Sequence, residues 1–73
     1  MNNELVNKYL DDIDKLGFDK SLALNTKDVS KILRVTLRTL ENWRKEELGP
    51  IAKKIGKAYF YTKRDVAEFL AQN

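Results

Sequence analysis

The chain has 73 residues, 42% of them hydrophobic and 34% charged, so it can form one small globular domain. It contains no cysteine and no histidine, which excludes a disulfide framework, a thiolate or imidazole metal site and histidine-based catalysis. The composition predicts a cytoplasmic protein with no membrane span, no metal and no other cofactor.

Charge is distributed unevenly along the chain. Residues 1–24 contain three lysines and five acidic residues, whereas residues 31–64 contain ten basic and three acidic residues, a net charge of +7. A basic centre indicates a polyanionic partner, although a lysine-rich solvated surface has the same composition.

The first predicted element is a helix over residues 3–16, which Gly17 ends in a left-handed conformation. Apolar residues recur there at helical spacing, at Leu5, Val6, Tyr9, Leu10, Ile13 and Leu16. An isolated helix of this length is marginal in water, so its apolar stripe needs a partner surface. We expect the stripe to pack on the rest of its own chain or, as the alternative, on a second copy.

Residues 17–24 are predicted to be a connector, with Phe18, Leu22 and Leu24 as buried anchors. Residues 1–24 therefore form an acidic amphipathic helix and its connector, separate from the domain that follows.

Two short helices are predicted next. Thr26 can cap a helix that ends near Arg34, and Thr36 can cap another that runs from Leu37 to about Glu46. Helices separated by about three residues cross steeply, which predicts a helix-turn-helix.

The third helix presents Arg38, Asn42 and Lys45 on the side opposite Leu40 and Trp43, and we assign Trp43 to the core. Arginine can bridge guanine O6 and N7, asparagine can bridge adenine N6 and N7, and lysine can contact phosphate. Ordinary solvated polar residues would give the same pattern, so this face alone leaves both interpretations open.

A β-hairpin is predicted from "IAKKIG" and "KAYFYT", with its turn at Gly56 and Lys57. Lys54 and Lys57 can reach DNA from this ribbon, or they can protect its edge against aggregation. Tyr59 and Tyr61 share a face that is predicted to lie in the core.

A last helix is predicted from Lys63 to about Ala71, capped by Thr62 with Asp65 three residues on. The predicted fold class is therefore mostly α with a small β-hairpin, a winged helix-turn-helix in the order α-α-α-β-β-α, with residues 25–73 as the candidate DNA-binding domain. Paired acids in an apolar setting and a Gly-rich phosphate loop are both absent from the sequence, which predicts no enzymatic activity.

Residues 25–71 resemble the excisionase-like and AlpA-like small winged helix-turn-helix proteins of the MerR-type fold. The resemblance rests on "NTKDVSKILRVT", "TLENWR", "GPIAKKIGKAYFY" and "KRDVAEFL" taken together. It implies DNA contacts from the third helix and the wing, at Thr36, Leu37, Arg38, Asn42, Lys45, Lys54 and Lys57.

Several positions depart from the family pattern, and two of them lie at the turn between the second and third helices. Arg34 stands where the turn often has glycine, so either it adopts a strained conformation or the turn differs locally. Leu37 stands where a basic residue is common, and it could meet a thymine methyl group instead.

The resemblance implies a sequence-specific double-stranded DNA-binding protein of a phage or mobile element, acting as an excisionase or as a transcriptional regulator. Its partners would be DNA and, in addition, a site-specific recombinase (integrase) or further copies on adjacent sites. The alternative is a protein-interaction adaptor that uses the winged helix-turn-helix as a scaffold, because a fold alone does not determine function.

Overall fold

A computed structural model describes residues 3–72 of the chain. They form four α-helices, one π-helical turn and three strands. In chain order these are α1 (Asn3–Ile13), the π-helical turn (Asp14–Phe18), β1 (Ala23–Asn25), α2 (Thr26–Leu33), α3 (Leu37–Lys45), β2 (Lys53–Ile55), β3 (Ala58–Thr62) and α4 (Lys63–Ala71). This architecture confirms the predicted mostly helical winged helix-turn-helix and adds one strand to it.

The added strand is β1, which lies in the segment predicted to be a connector. It pairs antiparallel with β3, and β3 pairs antiparallel with β2, so the sheet order is β1-β3-β2. Alternation along β1 buries Leu24, as predicted, but Leu22 lies in a bend before the strand and is 95% exposed. The prediction of Leu22 as a buried anchor is therefore wrong.

Helix α2 begins one residue earlier than predicted, because its cap is Asn25 and not Thr26. The Asp28 backbone N–H donates to Asn25 Oδ1 at 2.7 Å, and the Asn25 backbone N–H donates to Asp28 Oδ2 at 3.2 Å. These reciprocal hydrogen bonds form a capping box. Asn25 thus ends β1 and starts α2 in the same position.

The turn between α2 and α3 depends on an unusual backbone conformation at Arg34. Its φ of 58° and ψ of 43° are left-handed, and its backbone N–H donates to the Ser30 carbonyl oxygen. Of the two outcomes expected for this non-glycine residue, the strained conformation is the one found. Thr36 then caps α3 as predicted, since its Oγ1 accepts a 3.1 Å hydrogen bond from the Thr39 backbone N–H.

The hydrophobic core is built from every helix and from both β1 and β3. Its buried members are Val6, Ile13, Leu24, Val29, Leu40, Tyr61, Val66 and Ala67. Trp43 is partly buried and packs against this core, as the sequence predicts.

Helix α1 packs against α4 and contributes Val6 and Ile13 to that core. At its end, Lys63 Nζ lies 2.8 Å from Asp14 Oδ1 and also donates to the Phe18 carbonyl oxygen at 3.2 Å. Of the two arrangements expected for the apolar stripe, packing on its own chain is the one found. Helix α1 therefore adds core to a domain whose remainder is small.

Candidate nucleic-acid interface

The outer face of α3 carries the polar residues that the sequence singles out. Arg38, Asn42 and Lys45 are all exposed and fall within an arc about 60° wide at about 100° per residue. Leu40, on the opposite side, is 1% exposed. We call Arg38, Asn42 and Lys45 the outer stripe.

A second set of α3 residues lies about 100° around the helix from the outer stripe. It consists of Leu37, Glu41 and Arg44, which we call the wing-facing stripe. Leu37 is 46% exposed, and Arg44 is half-buried. Helix α3 therefore has an exposed polar side, the outer stripe, and a lateral side directed at the hairpin.

The wing is formed by β2, β3 and the turn at Gly56 and Lys57. Its register pairs Lys54 with Tyr59 and Ile55 with Ala58. Gly56 has a φ of 65°, which this tight turn requires and which glycine adopts without strain. Lys54 and Lys57 are both exposed, so the wing carries its charge at and near the tip.

A groove brings the start of α2, the wing-facing stripe and the wing tip together. Its lining residues are Asn25, Thr26, Lys27, Leu37, Glu41, Arg44, Lys57, Ala58 and Tyr59. Two of the predicted contact residues, Leu37 and Lys57, therefore line one groove, whereas the outer stripe does not line it. Thr36 lies at the N-terminal end of α3, where its hydroxyl is already engaged in the helix cap.

A family model described as a helix-turn-helix domain matches residues 23–73, more than two thirds of the chain. The chain belongs to this helix-turn-helix domain family. It is a small helix-turn-helix DNA-binding protein. No curated protein and no solved structure matches it.

The helix-turn-helix protein has one contact at this interface that sequence reasoning missed. The Arg44 guanidinium carbon lies 3.9 Å from the centroid of the Tyr59 ring, and Arg44 Nη1 donates a long hydrogen bond of 3.4 Å to Tyr61 Oη. Lys54 Nζ lies 5.9 Å from the same Tyr59 centroid. The signal that could have found this contact is the spacing of Leu37, Glu41 and Arg44, which repeats on one side of α3.

The two tyrosines of β3 differ in their burial. Tyr61 is 1% exposed and lies in the core, as predicted. Tyr59 shares its strand face but is only partly buried and lines the groove, so the prediction of Tyr59 as a core residue is wrong. The physical reason is that the Tyr59 ring lies in the groove beside the wing-facing stripe, where the Arg44 guanidinium covers it.

Lys27 is a further residue of the helix-turn-helix protein that the sequence did not single out. It is exposed in the first turn of α2 and lines the groove with Leu37 and Lys57. A cation here can contact the phosphate backbone, as phosphate contacts orient a protein on the duplex.

The acidic residues of α1, Glu4, Asp11 and Asp12, lie outside the groove. None of the residues that line the groove belongs to α1. Two acidic side chains of α1 pair with lysines on the same face, Asp12 with Lys8 at 3.5 Å and Asp11 with Lys15 at 2.9 Å. The hydrogen bond to Asp11 raises the pKa of Lys15.

Other kinds of site were also sought within residues 3–72. No group of three or more histidine, cysteine, aspartate or glutamate residues there could hold a metal ion. None of the helices in that range has the length and apolar character that crossing a bilayer requires.

Proposed function

We propose that this chain is a sequence-specific double-stranded DNA-binding protein of a phage or other mobile element, acting as an excisionase or as a transcriptional regulator. The observation that carries the proposal is the exposure of the outer stripe, Arg38, Asn42 and Lys45, beside a groove shared by α3 and a basic wing. The resemblance of residues 25–71 to excisionase-like and AlpA-like proteins supports the mobile-element assignment.

In the proposed complex α3 enters the major groove with its N-terminal end first. Arg38 bridges guanine O6 and N7, and Asn42, one turn later, bridges adenine N6 and N7. Leu37 meets a thymine methyl group at the edge of the major groove. Thr36 contacts the DNA backbone through the helix end that it caps. Lys45, at the far end of α3, contacts phosphate.

The wing extends this footprint beyond the major groove. Lys54 and Lys57 contact the sugar-phosphate backbone or the adjacent minor groove. Several such phosphate contacts release counterions, so the affinity for duplex DNA should decrease steeply with salt. Occupancy and bending of short sites would then act on recombination or transcription, with an integrase or a second copy on an adjacent site as partner.

Selection of duplexes from a random library, followed by competition binding across salt concentrations, tests the proposal. A recovered motif with a steep salt dependence supports it, whereas equal affinity for all sequences contradicts sequence-specific recognition. Two further measurements separate an excisionase from a transcriptional regulator. One is the bend that the protein induces in the selected duplex. The other is an excision assay in which the protein is added to the integrase of the same element.

The adaptor function remains a second candidate, because Leu16 is 63% and Leu22 is 95% exposed beside acidic α1. Exposed apolar side chains in an acidic segment suit a protein partner where they form one patch. Association with a protein that is insensitive to salt, together with the absence of duplex binding, would favour the adaptor.

A further inference from the structure

The contact between Arg44 and β3 joins the two elements that are expected to touch DNA. Arg44 belongs to α3, and Tyr59 and Tyr61 are two residues apart on the same face of β3. The Arg44 guanidinium stacks on the first ring, with its central carbon 3.9 Å from the centroid, and donates to the hydroxyl of the second. One side chain of the recognition helix therefore spans two positions of the wing strand.

The covalent connection between these elements is a segment of seven residues. Residues 46–52 link α3 to β2 without regular secondary structure. Beyond Tyr59, the three residues of β2 are all exposed, so the outer strand of the wing has little packing of its own. The stack at Tyr59 lies close to the wing tip, because Tyr59 pairs with Lys54 and the next pair, Ile55 with Ala58, flanks the turn. A contact at this point restrains the tip directly.

The position of Arg44 does not suit a direct contact with bases. It lies on the wing-facing stripe, about 100° around α3 from the outer stripe, and it is half-buried. Its planar guanidinium is already engaged with an aromatic ring, an arrangement that lysine cannot reproduce. A cation in this position neither reads a base edge nor extends freely to a phosphate.

We propose that Arg44 is a positioning residue, which holds the wing at a fixed angle to the recognition helix through Tyr59. With the stack in place, the outer stripe of α3 and Lys57 of the wing engage the duplex as one rigid unit. Without the stack, the wing moves independently of α3. Its lysines then no longer lie opposite the phosphates that flank the bases bound by α3. The inference rests on the proposed DNA-binding function and deepens it.

A double-mutant cycle between Arg44 and Lys57 tests this coupling, with the selected duplex as ligand. In the wild-type background, Lys57→Ala should weaken binding about fivefold and lower the salt slope by about one. In the Arg44→Met background, Lys57→Ala should change the affinity by less than about twofold, because the wing is no longer held against the DNA.

The matched control is Lys45→Met, which removes a charge from the adjacent residue of α3. Lys45 is exposed and lies on the outer stripe. In this background Lys57→Ala should retain its full effect on both affinity and salt slope. If Arg44→Met and Lys45→Met reduced the effect of Lys57→Ala equally, the reduction would reflect the loss of charge alone. That result would overturn the proposal.

A second cycle removes the aromatic surface while leaving the charge of Arg44 in place. Tyr59→Leu should abolish most of the effect of Lys57→Ala, whereas Tyr59→Phe, which keeps the ring, should preserve it. All variants are measured at temperatures below the onset of their thermal unfolding. This cycle also decides the question if Arg44→Met does not fold.

Two further results would overturn the inference. Additive effects in both cycles would show that Arg44 acts independently of the wing, for example as a phosphate contact in its own right. Failure of Tyr59→Phe to preserve the effect of Lys57→Ala would show that the stack is not the relevant contact. If the wild-type chain binds no duplex at all, the proposed function itself fails, and that outcome is distinct from additive cycles.

Discussion

Trp43 of α3 packs against Phe69 of α4, with 5.7 Å between the ring centroids and 49° between the ring planes. Tilted aromatic pairs at this separation are favourable beyond the area that they bury. The pair ties the recognition helix to the last helix of the domain. Trp43 therefore stabilises the structure from the side of α3 opposite the outer stripe.

Replacing Trp43 by alanine should destabilise the domain by about 3–5 kcal/mol, enough to unfold a chain of this size. Thermal melts followed by circular dichroism would measure the loss. Trp43→Phe, which keeps an aromatic ring, should cost much less. A wild-type melt for Trp43→Ala, accompanied by lost DNA binding, would instead put the indole at the DNA interface.

Gly49 should be intolerant of any side chain. Its φ of 76° is left-handed, and an added Cβ would lie 2.7 Å from Cε3 of Trp43. Gly56 offers a matched control, because it also has a positive φ but an added Cβ would meet nothing within 4 Å. Chemical denaturation should show a larger loss for Gly49→Ala than for Gly56→Ala, where only about 1 kcal/mol of backbone strain is expected. Equal losses would mean that the indole moves aside freely.

The docking of α1 predicts a sharp contrast between Ile13, its last residue, and Leu16 in the π-helical turn that follows. Ile13 is 1% exposed and Leu16 is 63% exposed. Ile13→Ala should lower the free energy of unfolding by about 2–5 kcal/mol, whereas Leu16→Ala should change it by no more than about 0.5 kcal/mol. Equilibrium denaturation at several protein concentrations would measure both. A midpoint that rises with concentration would indicate instead that the stripe pairs with a second copy.

Arg38→Ala should weaken binding to the selected duplex by about 1–3 kcal/mol and relax the preference at one base pair. Lys20→Ala is a suitable control, since it removes the same charge from an exposed residue between the π-helical turn and β1. Competition binding against single-base variants of the duplex would compare them. Unchanged specificity in Arg38→Ala would contradict its assignment as a base-reading residue.

Glu41 is the acidic residue of the wing-facing stripe, and it lines the groove between α3 and the wing. A carboxylate near DNA repels phosphate but can accept a hydrogen bond from cytosine N4. Glu41→Gln should therefore raise the affinity for non-specific duplex and reduce discrimination at one position. Glu4→Gln on α1 controls for the change in net charge. Equal effects of the two substitutions would exclude a local role for Glu41.

Much of this fold could be predicted because its signals are local. Neighbouring residues determine the cap at Thr36, the turn at Gly56 and Lys57, and the helix that starts at Lys63. Strand β1 could not be predicted in this way, since three residues are too few to show a period of two. Its existence depends on pairing with β3, more than thirty residues later.

The candidate site likewise has one part that local sequence predicts and one part that depends on distant segments. Exposure of Arg38, Asn42 and Lys45 follows from the helical period, which the sequence carries. The stack of Arg44 on Tyr59 depends on how the wing folds back beside α3, a relation between distant segments. A tyrosine at alternating spacing looks the same in sequence whether a core or an arginine covers it, as Tyr61 and Tyr59 illustrate.

The two strand-to-helix junctions of this domain contain no intervening residue. Strand β1 ends at Asn25 and α2 begins at Thr26, while β3 ends at Thr62 and α4 begins at Lys63. Both junction residues cap the helix that follows, and they sit on neighbouring paired strands. The protein consequently has little freedom to flex between its sheet and these helices. In a bent complex the duplex, and not the protein, would therefore deform. Binding would favour sites with pyrimidine–purine steps, which deform easily, even at base pairs that no side chain touches.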